Sequence, residues 1–126
     1  MTAEKDIADY LVTLGYGTVG TDIFHGSLPP TPDDVICVIQ AGGQKPDPIE
    51  DVESPAIQII VRCADPDDAR DIANEIMKDL AGLINTTINL VVYHWIESQG
   101  SPSDGGLDYE LRKLYTLGFI AMKDME

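Results

Sequence analysis

His25, His94, Cys37 and Cys63 are the side chains of this sequence best suited to hold a transition metal. A zinc site draws its thiolates and imidazoles from short, characteristic spacings. These four residues match no such pattern, and His94 stands beside Trp95 in an apolar run, where a structural or surface histidine is expected. Asp65, Asp67, Asp68 and Asp71 concentrate carboxylates that could attract calcium. They lack the loop length, central glycine and terminal glutamate of an EF-hand, and a helix start accounts for them without a cation. The glycines of GYGTVG (residues 15–20) are spaced loosely like a phosphate-cradling loop. That stretch follows a helical pattern instead of a strand, so an ordinary turn-rich connector is the better reading. There is no G-x-S-x-G and no H-E-x-x-H. Without a convergent acid, base and nucleophile, no enzyme, cofactor or metal is expected.

The elements that would position these residues are organised around 55–83, PAIQIIVRCADPDDARDIANEIMKDLAGL. Ile57, Ile59, Val61 and Cys63 alternate with Gln58 and Arg62, Ile60 being the exception, the period of a half-buried strand. Asp65 then offers an N-cap, Pro66 suits the first helical position, and Asp67 and Asp68 complement the helix dipole. Ala69, Ile72, Ala73, Ile76, Leu80 and Leu83 recur at helical spacing, with Gly82 as the C-cap. Before this unit, residues 2–14 read as an amphipathic helix capped by Thr2, with Ile7, Tyr10, Leu11 and Leu14 as its apolar stripe. A glycine- and proline-rich connector follows, with a short strand near 21–25, and then a central strand at 35–41 (VICVIQA). Residues 44–54 read as an exposed loop, 88–97 (INLVVYHWIE) as a strand, 98–108 as a second loop and 109–122 as the last strand, with a fraying charged tail.

The order helix, strand, strand, helix, strand, strand predicts one α+β domain over 1–126. It has a four- to five-stranded, mainly antiparallel sheet with two helices packed on one face. The charge bounds its partners. With 22 acidic and 8 basic side chains the chain carries −14, which disfavours both a nucleic-acid-binding surface and an anionic membrane. Cys37 and Cys63 lie in apolar runs and are expected as free thiols of a reducing compartment.

The connector carries a resemblance. Gly20–Gly26 forms a G-T-x-x-F-x-G turn, Pro29–Asp33 a P-x-x-P-D element, and the next strand ends in Gly42–Gly43. Val61–Arg62 closes a strand, Ala69 and Leu80-x-Gly82-Leu83 mark the helix, and Pro102, Asp104–Gly106 and Arg112 precede the last strand. In these features the chain resembles a family of small bacteriophage minor capsid or tail terminator proteins. The resemblance covers nearly the whole chain, with Arg112 standing later than the family pattern has it. It implies a small α/β fold that forms a ring, typically hexameric, at the head-proximal end of the tail. The implied partners are other copies of the chain, the tail tube protein and a head connector or head completion protein, with DNA passing through the ring without being gripped. The implied location is the virion's head–tail junction, after assembly in the host cytoplasm, and no catalytic residues are implied.

Two helices cannot cover both faces of such a sheet, so one face should meet a neighbouring subunit. Along the third strong strand, Val91, Tyr93 and Trp95 alternate with Leu90, Val92 and Ile96, making both sides apolar. Tyr93 and Trp95 are therefore expected at a subunit interface. The loop residues Lys45, Asp47, Glu50 and Asp51 are expected at its charged rim, with Glu53 in the same acidic run. The alternative is a small binding module or minor enzyme that uses the groove near residues 15–32.

Overall fold

The computed structural model describes residues 3–47 and 51–125, and for 43–47 the backbone alone. Helix α1 spans Ala3–Thr13 and α2 spans Pro66–Leu80. The strands are β1 Ile23–His25, β2 Val35–Asp47, β3 Val52–Cys63, β4 Leu83–Ile88, β5 Val91–Ser98, β6 Ser103–Leu107 and β7 Lys113–Asp124. They form one seven-stranded sheet in the order β1-β2-β3-β7-β5-β4, with β6 also paired to β7.

This corrects the expected fold class. The protein is mostly β, and its sheet is mixed, because β1 runs parallel to β2 while the other pairs are antiparallel. The extra strands come from segments whose local chemistry looks like loop. Residues 44–54 are largely strand, since β2 runs to Asp47 and Val52 already pairs with both Asp47 and Asp124. The strand expected over 88–97 is β5 from Val91 onward, and an unexpected strand, β4, precedes it and begins at Leu83, a residue expected on the stripe of the second helix. A turn at Asn89–Leu90, both at positive φ, folds β4 back on β5 in the geometry of a tight type I′ hairpin. Residues 103–107 of the expected second loop form β6, and 109–112 turn the chain into β7.

The central unit follows its local chemistry. Asp65 caps α2 by accepting from the Asp67 N–H, Pro66 opens the helix, and Ala69, Ala73, Ile76 and Leu80 are buried. Ala81 is the C-cap, with Gly82 just beyond it at φ +82°. Thr2 lies outside the described residues. Both helices lie on one face of the sheet, where Ile7 of α1 and Leu80 of α2 meet Ile57, Ile96, Phe119 and Ala121. The inward face of α1 is Ala3, Ile7, Ala8 and Leu11, whereas Leu14 is partly exposed.

A polar network is buried at one end of this core. Asp6 on α1 accepts from the Tyr93 hydroxyl at 2.7 Å and from the Asn89 amide at 3.0 Å. Lys123 is 2% exposed, makes an ion pair with Glu53 at 2.8 Å and lies 6.0 Å from the Tyr93 ring centre. The expected fraying tail is thus held in β7 as far as Asp124, because Lys123 carries its charge to a partner inside.

Candidate functional site

The sheet face away from the helices is the one that α1 and α2 leave uncovered. At the Cys63 end of β3 this face is covered by the connector 26–34, which carries the chain from β1 across to the parallel strand β2. Such crossovers usually need a dozen or more residues, most often a helix. Here Pro29, Pro30 and Pro32 sit in an irregular path with several bends, with a cis peptide at Thr31–Pro32. Prolines donate no hydrogen bond, and carbonyls of an irregular segment lying on a sheet face lack ladder partners. Two arginines supply the donors. Arg62 on β3 reaches the carbonyls of Pro29, Pro32 and Asp33 at 2.7, 2.6 and 3.2 Å. Arg112, just before β7, reaches the Pro30 carbonyl at 2.6 Å and the Asp108 carboxylate at 2.8 Å.

Their surroundings set their charge states. Burial pulls the Arg62 pKa below the ordinary value, and the positive charge of Arg112 adds to that pull. Burial acts the same way on Arg112, but the Asp108 carboxylate overrides it and holds the guanidinium above its ordinary value. Burial works to raise the pKa of Asp108, but the Arg112 N–H and guanidinium and the Glu110 N–H outweigh it, and the carboxyl stays below its usual range. The arginine rivet was only half visible in the sequence. The P-x-x-P-D element and Arg112 stood out, but nothing local joined them.

Beyond the connector the face is open and half-buried. Ile84, Trp95 and Met122 are cross-strand partners that form an apolar strip there, with Ile84 well exposed. The register shift between Tyr93 and Trp95 has a consequence for the expected interface. His94 is the extra residue of a bulge, so Tyr93 and Ile96 both point to the helix side while Trp95 points away. Tyr93 is fully enclosed within the chain and leaves no exposed surface for a contact. Lys45 and Asp47 stand in the outer part of β2, and Asp51 is exposed in the turn before β3 at φ +55°. Glu50 lies outside the described residues.

The strand ends carry a feature that reading the sequence missed. At the β4–β5 turn, Leu90 is 97% exposed at φ +68°. At the opposite end of the sheet, the β6–β7 turn presents Leu107, Tyr109 and Leu111, with Leu111 at φ +62°. A leucine in this left-handed region is strained, and its exposure adds no burial in return. The β6–β7 turn is nonetheless well fastened. The Asp108 N–H donates to the Arg112 carbonyl, the Leu111 N–H donates to the Asp108 carbonyl, and the Asp108 carboxylate accepts from Glu110 and Arg112.

The candidate metal and ligand residues stay apart. Cys37 and Cys63 are free and buried on opposite faces of the sheet, and burial pushes each thiol up to about 11. His25 lies 3.9 Å from Glu4, and His94 lies 2.7 Å from Asp124. Among the described residues no cluster of His, Cys, Asp or Glu could hold a metal ion. The GYGTVG stretch is a turn closed by Asp22, whose carboxylate accepts the Thr18 N–H at 2.7 Å. A Cβ at Gly17, where φ is +156°, would sit 2.3 Å from that carboxylate. The groove near residues 15–32 survives as a recess of 200 Å³ lined by Tyr16, Asp22, Asp34, Cys63 and Ile72 among others. That is below the roughly 300 Å³ at which small-molecule sites begin. No helix among the described residues is long and apolar enough to cross a membrane.

The sequence matches the family described as bacteriophage tail terminator protein over residues 10–121, from within α1 to near the end of β7. No curated protein matches it. A match of that extent takes in the arginine-riveted connector, the open face and the β6–β7 turn, and the chain belongs to the bacteriophage tail terminator family.

Proposed function

We propose that copies of this chain assemble into a hexameric ring that caps the head-proximal end of the tail tube and joins it to the head connector. The family match over residues 10–121 is the observation that carries this reading. The structure supports it in three ways. One sheet face is left uncovered around Trp95, as a surface for the next subunit would be. The exposed apolar turn at Leu90 stands at one end of the strands, so a ring built with strands along its axis has a contact surface at that end. The charge of −14 suits a lumen through which DNA passes without adhering. In this reading Lys45, Asp47, Glu50 and Asp51 lie on the turn-end rim, Trp95 lies on the lateral interface, and the protein is a structural component of the virion assembled in the host cell, not an enzyme.

The test adds purified protein to tail tubes assembled without it. The tubes should acquire a cap at one end, stop growing and become competent to join filled heads. Continued elongation together with unchanged head joining would overturn the reading.

A further inference from the structure

The open face holds a recess of 380 Å³ between β3, β7 and the link from β5 to β6. Its lining includes the small residues Ala56, Thr116 and Gly118 of β3 and β7 and the exposed Ser101. Gln58 and Gln99 supply its amides, and Gln99 lies so close over Gly118 that a Cβ there would sit 2.9 Å from the glutamine oxygen. Among the described residues, none that lines the recess is charged, in a chain with 22 acidic side chains. It is therefore a place where two such acidic molecules can approach without bringing like charges together.

The β6–β7 turn has the complementary character. Tyr109 is fully exposed at its tip, flanked by Leu107 and Leu111, on a backbone fixed by Asp108 and Arg112. A rigid aromatic with a polar tip loses little freedom on docking, and its hydroxyl needs a partner once buried. The recess exceeds the roughly 300 Å³ that holds small molecules, so it has room for a phenol ring, and its two amides can meet the hydroxyl. The turn projects from the Lys113 end of β7 while the recess lies on the face at Thr116–Gly118, two different patches of one chain.

We propose that the β6–β7 turn is a finger whose Tyr109 ring seats in the Ala56–Gly118 recess of the next copy, making the head-to-tail contact that closes the ring. This deepens the ring reading above and rests on it. Identical subunits meeting through unlike patches generate either closed rings or open filaments, so a contact of this kind is what a ring requires.

Tyr109→Cys and Ser101→Cys test the contact with a short bis-maleimide, because Cys37 and Cys63 are buried and leave a low background. The double variant should give a ladder of linked chains, an equimolar mixture of the single variants should give a linked dimer, and either single variant alone should give none. Tyr109→Ser should weaken self-association roughly thirty-fold, as loss of an interface hot spot does, with an unchanged melting temperature of the dilute monomer, while Tyr109→Phe keeps most of the association. Wild-type rings without a link between positions 109 and 101, or linkage of position 109 to the tail tube protein instead, would overturn the finger and leave the ring standing. Absence of rings both in concentrated solution and on tail tubes would overturn both.

Discussion

The two faces of the sheet are closed by different chemistry. The helix face is sealed by side chains alone, with Ile7, Leu11, Ile76 and Leu80 pressed onto Ile57, Ile59, Leu117 and Phe119. The opposite face is closed over part of its area only, and by backbone, a proline-rich strap whose carbonyls are taken by Arg62 and Arg112. Apolar packing is non-directional and tolerates any neighbour of the right size. Arginine forks on carbonyls fix one path for one segment. One face therefore makes the subunit stable. The other sets where the covered area stops and the uncovered strip at Trp95 begins.

Substitutions should separate these roles. Leu80→Ala opens the sealed face and should cost about 2–5 kcal/mol in urea unfolding, because Leu80 is 1% exposed and lines the same apolar space as Ile7 of α1 and Ile57 and Phe119 of the sheet. A loss below about 0.5 kcal/mol would mean that α2 does not seal the core. Arg62→Ala should cost about 3 kcal/mol through its lost charge-assisted bonds. Its signature should be local, with hydrogen exchange accelerated in 33–38 while α2 keeps its protection. Uniform acceleration would show that the strap belongs to the same cooperative unit as the helices.

The thiols probe both faces at once, since Cys37 lies under the strap side and Cys63 under α2. Each is raised by burial from 9.0 to about 11, Cys63 with help from the acids at Asp34, Asp68 and Asp65. The folded thiol holds its proton where the unfolded one has lost it, so above about pH 9 the unfolded state binds fewer protons and stability falls as pH rises, levelling off near pH 11. The loss should be on the order of 2 kcal/mol per thiol over that window, and Cys37→Ala/Cys63→Ala should flatten this part of the profile. An equal slope in the double variant would assign the effect to other groups.

How much of this could be read from the sequence follows from how local each signal is. The β3–α2 unit was legible because Asp65, Pro66 and the alternating isoleucines act within a few residues of themselves. The cover on one face and the free thiols were legible for similar reasons, and the family resemblance rested on the connector motifs. The seven-stranded mixed sheet was not. β1 becomes a strand only by lying parallel to a partner beyond the strap, and β6 (SDGGL) has no strand propensity of its own and is made a strand by β7. The bulge at His94, which moves Tyr93 inside and leaves Trp95 outside, is set by pairing with β7 and has no signature in the alternation itself.

The β4–β5 turn was hidden by a single residue, and that residue supports the smallest prediction. A type I′ turn wants glycine after asparagine, and Asn-Gly would have announced the hairpin. The chain has Leu90 there instead, at φ +68° and 97% exposed. A side chain that is strained and buries nothing in the isolated subunit contributes no stability to it. Leu90→Gly should therefore stabilise the monomer by about 0.5–1 kcal/mol through relief of the left-handed strain, reduced somewhat by the greater freedom of glycine when unfolded. If the leucine serves a contact at that end of the ring, the same variant should cap tail tubes or join heads less well while being the more stable protein. Loss of monomer stability in Leu90→Gly would show that the side chain packs within its own subunit. Greater stability with full assembly would place the end contact elsewhere, for example at Asp51, which stands at the same end of the sheet.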